Sequence, residues 1–208
     1  MARPTTYRLI LASSSPARRY LLERAGYDFI VVPSNVDESC PGAPDARSLV
    51  QALAWRKAAA VADRLALVTP TIIVAADSVG WLDGEVIGKP DDRDHARRIL
   101  RQLGGRDHEL WTGTCLWLTP PNRQIAWQEV SRVYLDTLDA TDLEAYLDTN
   151  AWVGCSGAYA VAADGNDPLV HVQQGSLTNV MGLPMETLAP LLDQLDQSEQ
   201  AFLFHHDD

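Results

Sequence analysis

The residues with chemistry to offer are a few cations and acids: Arg18, Glu38, Lys57, Asp77 and Lys89. Arg18 follows Ser13-Ser14-Ser15-Pro16-Ala17, small residues leading from an apolar run into a helical pattern. Ser15 suits an N-cap, and Pro16 suits the first helical position, where its missing N–H costs nothing. Such a helix start collects unpaired backbone N–H groups, hydroxyls and partial positive charge. Arg18 and Arg19 oppose that dipole, which makes sense if an anion visits; the plain alternative is a Ser cap with two solvated arginines. There is no Gly-x-x-x-x-Gly-Lys loop and no Gly-x-Gly-x-x-Gly. Asp37-Glu38 lies just past a second strand, either solvated or placed to hold Mg²⁺. Lys57 sits on an Ala-rich helix, where a lysine is ordinarily solvated. Asp77-Ser78 ends the β-branched run Thr71–Ala76, a favoured place for a catalytic or metal-binding acid. Lys89, between Gly88 and Pro90, returns toward Asp77 across a hairpin. The two form either a surface ion pair of little worth or a metal-bound acid facing a phosphate-binding cation.

Positioning them requires alternating strands and helices. Leu9–Ala12 reads as a buried strand, then a helix carrying Leu21, Leu22 and Ala25, with Gly26 at its exit. Phe29–Val32 reads as a second strand, Asp45 to about Ala66 as a long helix, and Thr71–Ala76 as the central strand. Asp83-Gly84 predicts a type I′ hairpin. Asp91–Leu103 reads as a helix with Ala96, Ile99, Leu100 and Leu103 inward. His108–Leu118 and Gln124–Leu135 read as an antiparallel ribbon with one wet face. Thr141-Asp142-Leu143-Glu144 reads as a capping box opening a helix to about Thr149. The stretch Trp152–Val161 reads as a loop passing into a strand. A further strand, a loop and a last helix with Pro184 in its first turn follow, and then a polar tail after Leu195. The pattern predicts an α/β fold in one domain.

At 208 residues with 46% apolar and 22% charged content, the chain suits one good-sized core. The net charge of −11 argues against a nucleic-acid partner but not against one small anion. No apolar run spans a bilayer, and the first residues lack a signal-peptide core. Cys40, Cys115 and Cys155 read as free thiols of a cytoplasmic protein. His95, His108 and His171 lack zinc spacing, and His205-His206 reads as part of a frayed end. Trp55, Trp111, Trp117 and Trp127 read as packing rather than as base-stacking platforms.

Taken together, these stretches resemble the Maf family of nucleoside triphosphate pyrophosphatases. The resemblance rests on "LASSSPARRYLLERAGYDF", "VDES", "RKA", "AADSV", "GEVIGKP", Thr112-Gly113, "GAY" and "GLPMET", in family order from about Leu9 to Leu192. It implies an inosine-triphosphatase-like α/β fold over residues 8–195, a mixed sheet flanked by helices with a central cleft between two lobes, and frequent homodimers; the polar stretch 196–208 is then an appended tail. It implies metal-dependent hydrolysis of a nucleoside triphosphate to the monophosphate and pyrophosphate, a house-cleaning activity toward non-standard or excess nucleotides. The roles it implies are Mg²⁺ or Mn²⁺ on Glu38 and Asp77, catalysis by Asp77, Lys57 and Lys89, and substrate contacts from Ser13, Ser15, Ala17, Arg18, Ser78 and Ala162. The chain departs from the family pattern at three places. Ala17 replaces the first arginine of "SPRR", Cys155-Ser156 replaces the Lys-Ala of "KAGAY", and Ala162 replaces a glutamine. Alanine at two base-side positions predicts a roomy, weakly discriminating pocket. Because the family is associated with septum formation, a non-catalytic nucleotide-binding regulator is the alternative reading.

Overall fold

Alternation along two strands decides the layering. In β1 (Arg8–Leu11), Leu9 and Leu11 face one side of the sheet while Ile10 faces the other; in β3 (Thr71–Leu82), Ile72, Val74 and Ala76 oppose Ile73 and Ala75. Both sets are buried, so a helix layer must cover each face. The computed structural model describes residues 6–38, 45–65 and 69–204, with side chains described as far as residue 197. Cys40 and His205-His206 lie outside the described residues.

The remaining elements are α1 (Pro16–Arg24), β2 (Ile30–Val31), α2 (Ala46–Leu65), β4 (Glu85–Ile87), α3 (Arg93–Leu103), β5 (Arg106–Thr119) and β6 (Arg123–Leu135). They are followed by α4 (Ala140–Asp148), a 3₁₀ turn at Ser156–Ala158, β7 (Val170–Gln174), α5 (Leu177–Val180) and α6 (Met185–Phe204). Seven strands form one sheet in the order β2-β1-β3-β5-β6-β7, with β4 also paired to β3. β1 runs parallel to β2 and β3, whereas β3–β4, β3–β5, β5–β6 and β6–β7 are antiparallel. The sheet is mixed, as expected.

One face packs against α1 and α6 through Leu21, Leu22, Leu188 and Leu192. The other packs against α2, whose Ala54, Ala58 and Val61 lie on Ile10, Ile73 and Trp117. Alanines let the helix approach closely, and Gly113 of β5 shows how closely. A Cβ there would stand 2.3 Å from the Val50 carbonyl oxygen, a backbone atom that cannot turn aside. Gly113→Ala is therefore expected to destabilise the fold by about 3 kcal/mol, the upper end for overpacking, read as a lower denaturant midpoint with an unchanged slope.

Local expectations held where sequence chemistry is self-contained. Ser15 caps α1, its hydroxyl accepting from the Arg18 N–H at 3.4 Å. The helix exit carries the paired bonds of a Schellman turn, Gly26 N–H to Glu23 oxygen and Tyr27 N–H to Leu22 oxygen, with Gly26 at φ 82°. Asp83 and Gly84, both at positive φ, join Leu82 to Glu85 as a two-residue hairpin turn.

Other expectations are corrected. β2 spans two residues, not four. Asp139 rather than Thr141 caps α4, accepting from the Thr141 and Asp142 N–H groups, and Glu144 turns away to pair with Arg93 and Arg97. β5 has no wet face over most of its length, because it pairs with β3 along 11 residues and lies mid-sheet. The Gly-rich stretch before residue 162 holds a 3₁₀ turn and no strand. The last helix continues past Leu195 to Phe204. Finally, β3 does not end at Asp77.

Candidate active site

The continuation of β3 past Asp77 to Leu82 explains the site. On one side, β3 pairs with parallel β1 only as far as Val74, and with antiparallel β4 only from Gly80. Between them, residues 75–79 have no strand on that side, although β5 pairs with them on the other. Asp77 and Ser78 occupy this interior gap. A switch of strand partner opens a crevice as effectively as a strand end does.

Three elements converge there. Lys57, from α2, is 4% exposed and Asp77 also 4%. Lys57 Nζ donates to Asp77 Oδ1 at 2.5 Å and lies 2.7 Å from Glu38 Oε1. Glu38 arrives on the segment after β2, and its other oxygen, Oε2, accepts from Lys89 Nζ at 2.8 Å. Two carboxylates thus share one buried ammonium, with a second, exposed ammonium outside. A buried pair of this kind needs both members, because either charge left alone carries a desolvation penalty.

Burial pushes the Glu38 carboxyl up, but hydrogen bonds from Lys57 and Lys89 outweigh burial and hold it down at about 2. A depressed carboxylate stabilises the fold fully above its ordinary value of 4.5, and that stabilisation is lost as pH falls toward 2. The melting temperature of Glu38→Gln is therefore expected to fall less steeply than wild type between those two pH values, as a pH series of thermal melts would read.

The Ser13–Arg18 segment forms the facing wall. Arg18 is clamped by three elements: Nε donates to the Gly182 carbonyl at 2.7 Å, Nη1 to Ser13 Oγ at 3.2 Å, and Nη2 to Ser78 Oγ at 3.1 Å. Ser78 Oγ also lies 2.9 Å from Thr112 Oγ1, which donates to the Asn179 carbonyl at 3.0 Å. Gly182 has φ 94°, and a Cβ there would press to 3.3 Å on the Arg18 guanidinium. Burial lowers the Arg18 pKa, while the nearby Asp77 and Glu38 charges raise it.

A cavity of about 720 Å³ unites these groups. Its lining includes Ser13, Ser15, Ala17, Arg18, Glu38, Lys57, Ser78 and Lys89. Asp77 is not among the lining residues and meets the site through its hydrogen bond with Lys57. Ala162 is not part of the lining, and its N–H is held by Asp167 at 2.8 Å. Arg19, expected to add a cation, instead pairs with Glu23 at 2.6 Å on the exposed face of α1. Thr112, Ser156, Tyr159 and Gly182 also meet these groups, although the sequence assigns them no site role. Thr112 and Gly182 fall inside the quoted "TG" and "GLPMET", but nothing in their residue types marked them as partners of Ser78 and Arg18.

Among the described residues no group of three or more His, Cys, Asp or Glu side chains converges as a metal cage. The donor set does fit Mg²⁺ or Mn²⁺, which bind through one or two carboxylates and take the rest of their shell from water and phosphate. Glu38 and Asp77, both within reach of the Lys57 ammonium, are the carboxylates that could hold such an ion. The free thiols play no part in this set: Cys115 is buried, which pushes it up to about 12, and Cys155 only lines the cavity.

The sheet and its gap define an α/β protein with acids and cations gathered around one cavity. The Maf-like protein family model matches residues 8–195, and the chain belongs to that family. It is 41% identical over 201 residues to a dTTP/UTP pyrophosphatase of Rhodopirellula baltica, covering 95% of this chain and 86% of that one. It is 40% identical over 191 residues to a nucleoside triphosphate pyrophosphatase of a Synechococcus strain, covering 91% and 95%. In fold it is similar to the Staphylococcus aureus Ham1 protein, with a TM-score of 0.50 at 15% identity over 92% of this chain and 99% of that chain. No helix among the described residues is long and apolar enough to cross a membrane.

Proposed function

We propose that the protein is a metal-dependent nucleoside triphosphate pyrophosphatase, hydrolysing its substrate to the monophosphate and pyrophosphate. The observation that carries this reading is the Glu38–Lys57–Asp77–Lys89 cluster, of which Glu38, Lys57 and Lys89 line one cavity with the capped helix start that holds Arg18. A binding module needs cations for a triphosphate, but it does not need a buried acid paired among them. The names of the relatives, dTTP/UTP and nucleoside triphosphate pyrophosphatase, point to the same chemistry.

In this reading Arg18, Lys57 and Lys89 bind the polyphosphate, and Ser13 and Ser15 donate hydrogen bonds at the start of α1. Asp77 orients a water and accepts its proton as the water oxygen bonds to the α-phosphorus. The bond from that phosphorus to the bridging oxygen breaks, and pyrophosphate leaves with the electron pair. Lys57 and Lys89 stabilise the charge that develops on it. Mg²⁺ or Mn²⁺ on Glu38 and Asp77 would neutralise phosphate charge and polarise the α-phosphorus. We take residues 8–195 as the working domain, with 196–208 as an appended tail. We also take the protein to act in the cytoplasm on small nucleotides rather than nucleic acid, as a homodimer, clearing non-standard or excess triphosphates.

Pyrophosphate release from dTTP, UTP, CTP, GTP and 7-methyl-GTP, with Mg²⁺ and then Mn²⁺, tests the activity; no release with any of them refutes it. The same panel reads base selection. Ala17 lines the cavity and offers no polar group, while Ser78 Oγ is already engaged by Arg18 and Thr112. The kcat/KM values are expected to lie within about a hundredfold of one another, since a roomy pocket discriminates weakly. A larger gap would require a polar base contact and would refute the roomy pocket.

A further inference from the structure

The 3₁₀ turn at Ser156–Ala158 touches the site at two places, the Ser78 carbonyl and the Gly88 carbonyl. Ser156 Oγ donates to the Ser78 carbonyl oxygen at 2.6 Å, inside the gap along β3. The next residue, Gly157, donates its N–H to the Gly88 oxygen at 3.1 Å, immediately before Lys89. β3 and β4 pair from Gly80 and Ile87 toward the hairpin tip, so Ser78 and Gly88 lie where the two strands have splayed apart. The turn is wedged into that opening.

Its own seat is well defined. Gly157 has φ 78°, and a Cβ there would come within 2.7 Å of the Tyr159 ring. The Tyr159 hydroxyl lies 2.7 Å from Nε2 of buried His108 on β5, and the two rings meet edge-on with centroids 5.5 Å apart. Burial pulls the His108 imidazole down to about 4, so it is neutral near pH 7 and adds no charge behind the cavity. The wedge therefore stands on the middle of the sheet and bears on both halves of the site. One half is Ser78 with its partner Arg18; the other is the peptide that aims Lys89.

We propose that Ser156 is a positioning residue: through its hydroxyl the wedge sets the spacing between the Ser78–Arg18 half of the site and Lys89. The ligand this spacing serves is a nucleotide whose polyphosphate reaches from one half to the other, so the inference rests on the triphosphate reading above. A part-ligand that occupies one half does not sense the spacing, whereas a ligand that bridges both does.

The test uses binding rather than turnover. Three probes are titrated calorimetrically into wild type and Ser156→Ala: the non-hydrolysable α,β-imido analogue of UTP, UMP, and pyrophosphate. For Ser156→Ala the analogue is expected to bind about tenfold more weakly, the size of one lost neutral hydrogen bond. UMP and pyrophosphate should each stay within about twofold of wild type, with the melting temperature unchanged. Tyr159→Phe, which keeps the ring but loosens the seat on His108, should shift the analogue in the same direction by less. Analogue affinity within about twofold of wild type in Ser156→Ala overturns the proposal. So does an equal loss for all three probes, which marks a general structural role. If wild type itself binds no analogue, the triphosphate reading fails and takes the proposal with it, so the two failures are distinguishable.

Discussion

Asp77→Asn is expected to lower turnover of every accepted triphosphate by about a thousandfold, within the range that a positioned general base supplies. The substitution keeps the side-chain shape at a 4% exposed position on β3, and Lys57 keeps Glu38 as a partner at 2.7 Å. The fold should therefore survive, and circular dichroism together with a cooperative melt establishes that independently of the assay. Turnover within a few fold of wild type, in a folded variant, would remove Asp77 from the mechanism.

Lys57→Met should be the more damaging substitution, because it strikes stability and chemistry together. Lys57 and Asp77 side chains are 5% and 6% exposed, so removing the ammonium leaves the carboxylate buried without its cation. Breaking one partner of a buried pair costs about 3–5 kcal/mol, which in a chain of this size lowers the melting temperature by about 10 °C. Adding Asp77→Asn to Lys57→Met removes the orphaned charge, so the double variant should melt higher than Lys57→Met alone while remaining inactive. A double variant that melts lower than either single one would show that the pair is not coupled as described. Loss of turnover should be similar for every base, since Lys57 contacts Glu38 and Asp77 rather than the Ser78 side of the cavity.

Much of this was legible in the chain because its signals are local. The Ser15 cap with Pro16 behind it, the Gly26 exit and the Asp83-Gly84 hairpin each specify a backbone geometry within a few residues. The five charged site residues were also legible as types in order, and the structure brings Glu38, Lys57, Asp77 and Lys89 into one hydrogen-bonded chain. What was not legible depends on distant pairing. The run Thr71–Ala76 looks like a whole strand because its uncharged residues stop at Asp77. β3 nevertheless continues to Leu82, because β5 pairs with it throughout and β4 takes over from β1 on the other side. The cap of α4 lies two residues before Thr141 because Asp139 and Thr141 are both good caps and Asp139 takes the N–H groups of Thr141 and Asp142. Arg93 and Arg97, from a different helix, then claim Glu144, the residue that would have completed the box. Ala162 was carried to the base by position in a motif, whereas its loop folds onto Asp167.

The gap along β3 has a consequence for how the protein can change over time. Where β1 has left and β4 has not yet arrived, the main-chain groups of residues 75–79 have no strand partner on one side, and the Ser78 carbonyl there accepts from Ser156 Oγ. Their polarity belongs to the peptide bond and survives any side-chain replacement. Side chains beside them can therefore be replaced over time while these main-chain groups persist, so the frame of the cavity and the side chains that line it change independently.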